Sequence, residues 1–196
     1  LNTACILENN QVGDILSSIP KAISELPEIE SFRLDLAIKD GTADLNAIAD
    51  FVTCTGQYHL LIHYFEKSPD YQAALNIIND RRYLIKQSPL VFDLAVTATS
   101  QVNGKKDAFA LLKEYEKDYS DYAMFWLKAY QVSTSNEDRQ WVITSIISHE
   151  ENRKLKIRGL YEQKTLADIL IREKSYSKAL DILDTIEHIG FDNPNI

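Results

Sequence analysis

Residues 71–78 read YQAALNII and residues 176–183 read YSKALDIL, two copies of Tyr-x-x-Ala-Leu-x-Ile-[Ile/Leu] set 105 residues apart. The apolar letters recur at helical spacing and the polar letters do not, so what is repeated is one face of a helix. A helix face that returns at a fixed interval restricts the chain to repeat architectures. A third copy, KKDAFALL at 105–112, starts 34 residues after the first and carries Ala108, Phe109, Leu111 and Leu112 at matching offsets. The interval that remains predicts one more copy near 138–140. DRQWVITSII (138–147) lies there, with Val142, Ile143, Ile146 and Ile147 at helical spacing. Trp141 stands about where the other copies have Ala, so that helix pair is expected to be spread or rotated.

Each copy follows another apolar-periodic segment: YHLLIHYF (58–65), LVFDLAVTA (90–98), YAMFWLKAY (122–130) and TLADILI (165–171). The unit is therefore two helices in about 34 residues. Ser88-Pro89 and Ser68-Pro69 are read as a capping hydroxyl before a first-turn proline, and Ser120-Asp121 as the cap of the third unit. Asn103-Gly104 and Ser135-Asn136 supply the turns inside pairs. Only 6 Gly and 5 Pro in 196 residues, with 45% hydrophobic residues, agree with long helices around a sizeable core. The expected architecture is all-α, with repeats at about 55–88, 89–120, 121–156 and 157–190 and a tail at 191–196. Residues 1–54, with IPKAISEL, ESFRLDLAI and DLNAIADFV punctuated by Pro27 and Gly41, read as N-terminal helices, either a decayed repeat or a cap.

A 34-residue helix–turn–helix unit resembles the tetratricopeptide repeat. The last unit is most similar, with Leu166-Ala167 and Leu170 on its first helix and Tyr176 and Ala179 on its second. Leu94-Ala95 with Ala108, and Tyr58, Leu61 and Phe65 with Tyr71 and Ala74, keep the same pattern of large and small residues, although Ile62 replaces the small one in the first unit. The resemblance implies a right-handed α-solenoid of stacked antiparallel helix pairs whose concave side, lined by first helices, grips a protein or peptide partner. The residues projected onto that side are His59, His63, Phe92, Val96, Thr99, Trp126, Tyr130, Lys164 and Asp168. The carboxylate clamp of chaperone-binding members uses Lys and Asn on first helices. Here Lys164 stands alone, with Asp168 where Asn is wanted, so the projected surface is closer to an aromatic interface core. For Phe92, Trp126 and Tyr130, packing between repeats competes with that role.

A net charge of −8 and a pI near 5.0 argue against nucleic acid as a partner, because phosphate recognition needs a basic face. The densest basic run, Arg153, Lys154, Lys156 and Arg158, sits between two helices and reads as a solvated connector. Cys5 and Cys54 form no CxxC pair, and no apolar run is long enough to cross a membrane, which leads to the expectation of a soluble cytoplasmic protein. No signal or transit pattern opens the chain. Its start at Leu1 and end at NPNI leave a fragment of a longer protein as one reading.

No Gly-rich phosphate loop and no GxSxG occurs. His59 and His63 have the four-residue spacing a metal can use, but Leu60 replaces the Glu of the helical metalloprotease motif and no third ligand can be assigned. His149 lacks a second His four residues on, and His188 is isolated. The carboxylates Glu150-Glu151, Asp118 and Asp121 fall at helix ends and turns, where solvation and capping account for them. No catalytic residue, metal or cofactor is expected. The sequence points to a non-catalytic interaction scaffold or adaptor. Its rival is a structural or regulatory solenoid arm of a larger protein or complex, for example in trafficking or envelope machinery. Exposed terminal repeats also leave room for pairing of copies.

Overall fold

The computed structural model describes residues 26–190 other than 153 and 158, together with residues 18 and 20. Most of IPKAISEL, Cys5, Arg153, Arg158, the side chain of His188 and the tail 191–196 fall outside the described residues. The fold is all-helical, and twelve helices are described: α1 (Pro27–Asp40), α2 (Leu45–Thr55), α3 (His59–Lys67), α4 (Tyr71–Asp80), α5 (Leu84–Gln87), α6 (Pro89–Val102), α7 (Lys105–Glu114), α8 (Glu116–Tyr119), α9 (Ala123–Val132), α10 (Asn136–Glu151), α11 (Leu160–Arg172) and α12 (Tyr176–Gly190). No strand forms among the described residues, and the one extended pairing is an isolated bridge between Tyr122 and Lys156.

Local chemistry sets the helix ends. Pro27 opens α1, where the missing N–H costs nothing, and Gly41 at φ 71° closes it by turning its N–H back to Ile38 while Thr42 reaches Ala37. Asp44 caps α2 by accepting from Asn46 N at 3.0 Å. Ser88 caps α6 as expected, its hydroxyl accepting from Leu90 N at 3.2 Å ahead of Pro89. The Ser68-Pro69 reading is displaced: α4 begins two residues later, and its cap is Asp70, which accepts from Ala73 N at 3.0 Å. Ser120-Asp121 does not cap α9. There the N-cap is Tyr122, and Ala123 N donates to the backbone carbonyl of Lys156 at 3.1 Å. Ser135 heads a full capping box on α10, with Asp138 N on its hydroxyl and its own N–H on the Asp138 carboxylate. Backbone and hydroxyl donors outweigh partial burial and hold Asp138 below the usual carboxylate range.

Buried positions recur through the helices. On second helices Ala74, Ala108 and Val142 are each 34 residues from the last, and Ala179 follows 37 later, all at most 2% exposed. On first helices Leu61, Ala95 and Ala129 are likewise 34 apart, with Ala167 38 residues on. Val142 therefore takes the place assigned to Trp141 from the sequence. Trp141 lies one residue off the helix contact, half-buried, its ring 5.5 Å from Phe109 on α7 and 5.2 Å from Trp126 on α9. The longer last interval coincides with the α10–α11 connection, whose Lys156 runs alongside Asp121 and Tyr122.

The chain forms two compact units, Leu1–Leu94 and Ala95–Ile196, divided inside α6. In the first, α3 packs on both α1 and α2. In the second, α9 packs on α7, α10 and α11, and α11 lies along α12. Small buried residues, Ala129 on α9, Ala167 on α11 and Ala179 on α12, keep side-chain bulk off these contacts. Gln163 is buried on α11 and donates through its amide to the Ile182 carbonyl of α12, which satisfies a polar group that burial would otherwise penalise.

Candidate functional site

In the first unit, α3 presents His59 to solvent, and no described residue makes a hydrogen bond or ion pair with it. One turn on, the half-buried His63 turns its Nδ1 toward Asp35 Oδ1 of α1 at 2.8 Å. Lys39 holds the other Asp35 oxygen at 2.5 Å. Burial alone would raise the Asp35 pKa, but the hydrogen bonds and charges of Lys39 and His63 outweigh it and hold the carboxyl below its ordinary value. Phe92, on α6, is 4% exposed and belongs to the core.

In the second unit, Val96 and Thr99 are buried on α6, and the Thr99 hydroxyl donates to Ala95 O of its own helix at 2.7 Å. Trp126 is 0% exposed. Its ring meets Phe125 at 4.7 Å, Trp141 at 5.2 Å and His149 at 5.3 Å, and its indole N–H donates to Ser120 O at 2.7 Å. The protein's own atoms cover Phe92, Val96, Thr99 and Trp126. Of the two roles open to the aromatic residues, Phe92 and Trp126 take packing.

The remaining projected residues reach the surface. Tyr130 is half-buried on α9, and its hydroxyl donates to Glu173 Oε1 at the end of α11 at 2.8 Å. Burial, then the Glu173 carboxylate, push the Tyr130 pKa up and keep the phenol protonated as a donor. Lys164 and Asp168 are both exposed on α11. The same face carries three apolar residues missing from the sequence projection: Leu160, Tyr161 and Ile171, with Tyr161 70% exposed. The signal was present, since 160, 164, 168 and 171 follow the spacing that puts residues on one helix face.

The α11 face carries apolar area flanking one cation and one anion, and the Tyr130–Glu173 hydrogen bond ties the end of this helix to α9. No buried side-chain polar atom among the described residues lacks a hydrogen-bond partner, and no group of three or more His, Cys, Asp and Glu side chains among them is placed to hold a metal. A cleft of about 320 Å³ opens where α1 and α3 end, lined by Ile38, Lys39, Gly41, Tyr64, Lys67 and Ser68 among others. Its lysines stand at helix C-termini, where cations complement the helix dipole. No helix among the described residues is long and apolar enough to cross a membrane. Comparison with family models, with curated proteins and with solved structures finds no match to this chain.

Proposed function

We propose that the chain is a non-catalytic interaction scaffold, a tetratricopeptide-like right-handed α-solenoid that holds a protein or peptide partner on the exposed face of its first helices. The observation that carries the reading is the 34-residue recurrence of buried positions, Ala74, Ala108 and Val142 on second helices and Leu61, Ala95 and Ala129 on first helices. Helix pairs repeated at that interval are built to stack, and stacking leaves the outward side of each first helix free for recognition. The packing of α9 on α7, α10 and α11 supports it, because a first helix in such an array touches the preceding second helix, its own partner and the next first helix.

Within this reading the partner contacts are Tyr161, Lys164, Asp168 and Ile171, with Tyr130 beside them. Two exposed apolar side chains around a single ion pair's worth of charge suit an amphipathic segment. The test is affinity capture with wild-type chain and a Tyr161→Ala/Ile171→Ala variant. Both substituted side chains are exposed, so the variant should keep its circular dichroism spectrum and melting temperature. Loss of a partner from the folded variant supports the assignment. Capture equal to wild type would remove α11 from the interface.

A second reading, a structural or regulatory arm of a larger assembly, draws on Tyr176 and Leu180 of α12, both 59% exposed. Apolar side chains so open are suited to permanent cover. Proximity cross-linking in the source cell separates the two: an arm yields the same neighbour from α12 under all conditions, a scaffold yields exchangeable ones from α11.

A further inference from the structure

We propose that His59 and His63 form a binding site for a first-row divalent transition-metal ion on α3, with Asp35 of α1 as the residue that positions the His63 ring. The sequence offered only the four-residue spacing, which places both imidazoles on one side of α3. The structure adds the partner of His63. An ionised carboxylate can only accept, so the 2.8 Å contact with Asp35 Oδ1 places a ring proton on Nδ1, and in the neutral form of the ring, the form that binds metals, the lone pair is then on Nε2. Among the described residues no other hydrogen bond or ion pair involves His63, and its side chain is 26% exposed, so the ring is not sealed in the core.

This is the arrangement by which proteins aim a metal-binding histidine: the far ring nitrogen donates to a carboxylate, which fixes the tautomer and raises the basicity of the nitrogen facing the metal. Asp35 is not itself a ligand, because Lys39 occupies its other oxygen at 2.5 Å. His59 is exposed and has no hydrogen-bond or ionic partner among the described residues, so its ring can turn to the same ion. Two imidazoles select Cu²⁺, Ni²⁺ or Zn²⁺ over the oxygen-seeking Mg²⁺ and Ca²⁺. With no third protein ligand among the described residues, water completes the coordination shell.

The experiment is calorimetric titration of the whole chain with CuCl₂, NiCl₂, ZnCl₂ and MgCl₂, with electron paramagnetic resonance of the Cu²⁺ form. Saturable binding is expected, tightest for Cu²⁺ and absent for Mg²⁺. The Cu²⁺ spectrum should show coupling to two imidazole nitrogens in wild type and to one in His59→Ala, a variant at an exposed residue that should keep the wild-type circular dichroism spectrum. Asp35→Asn should keep two nitrogens but bind about 10–100-fold more weakly, the usual cost of losing an orienting partner. Cu²⁺ binding by wild type no tighter than by His59→Ala/His63→Ala overturns the site. Wild-type affinity in a folded Asp35→Asn variant overturns the positioning role.

Discussion

The two copies of the repeated helix face, YQAALNII on α4 and YSKALDIL on α12, share their letters and differ in their surroundings. Ala74 and Ala179 are both buried, and so are Ile77 and Ile182. One residue past the shared alanine the copies part: Leu75 is 7% exposed, and Leu180 is 59% exposed. The tyrosines follow suit, Tyr71 being half-buried and Tyr176 open. The motif thus encodes a helix with two apolar sides. One side serves its own hairpin and is always filled; the other is filled only where more protein lies against it.

The sharpest way to break this comparison is to truncate the divergent leucine in each copy. Leu75→Ala should cost about 2–5 kcal/mol, the range for deleting a buried leucine, whereas Leu180→Ala should stay within about 0.5 kcal/mol. Urea unfolding of the two variants checks it, and equal losses would mean that α12 is covered in solution. A smaller effect, common to both copies, is expected at the alanines. Ala74→Leu and Ala179→Leu each force bulk into a close contact and should cost about 1–3 kcal/mol. A variant that tolerates the leucine would show its hairpin to be loosely packed.

The smallest effects lie where the chain enters the two helices. α4 starts from the Asp70 carboxylate on Ala73 N, and Asp70→Ala should lose about 1 kcal/mol. α12 is entered through Lys174 at φ 61°, in a closed turn where Lys174 N reaches Ile171 O and Ser175 N reaches Leu170 O. A lysine there bears strain that glycine does not, so Lys174→Gly should raise stability by about 0.5–1 kcal/mol in thermal melts. A loss instead would mean that the lysine side chain contributes more than its backbone strain costs.

The longer helices were legible from periodicity, because a buried helix side needs apolar residues every three to four positions and this chain supplies them, whereas the four-residue α5 and α8 are too short to show a period. Caps made by side chains were partly legible: Ser88 acts where its type and position suggest, whereas Ser135, read only as part of a turn, also heads the capping box of α10. The start of α9 was not, since its N–H is met by a backbone carbonyl 33 residues away, and every residue type carries one. The projected surface failed at Trp126 for a similar reason. An aromatic residue at helical spacing reads alike whether it faces a partner or a second tryptophan, and Trp141 was itself assigned one residue out of place. The Asp35–His63 contact joins residues 28 apart on different helices, and neither residue marks the other in the sequence.

The backbone pairing of Lys156 with Asp121 and Ala123 has a consequence for synthesis. As the chain leaves the ribosome, α9 emerges with its first amides unmet, and the segment that meets them is made only after all of α10. Closing so long a loop carries an entropic penalty that adjacent hairpin contacts avoid. The third hairpin can therefore form early, yet its leading edge stays frayed until the following connection arrives. Hydrogen exchange at Ala123 becomes a clock for that event, slow in the finished chain and fast in any nascent form that stops before residue 156.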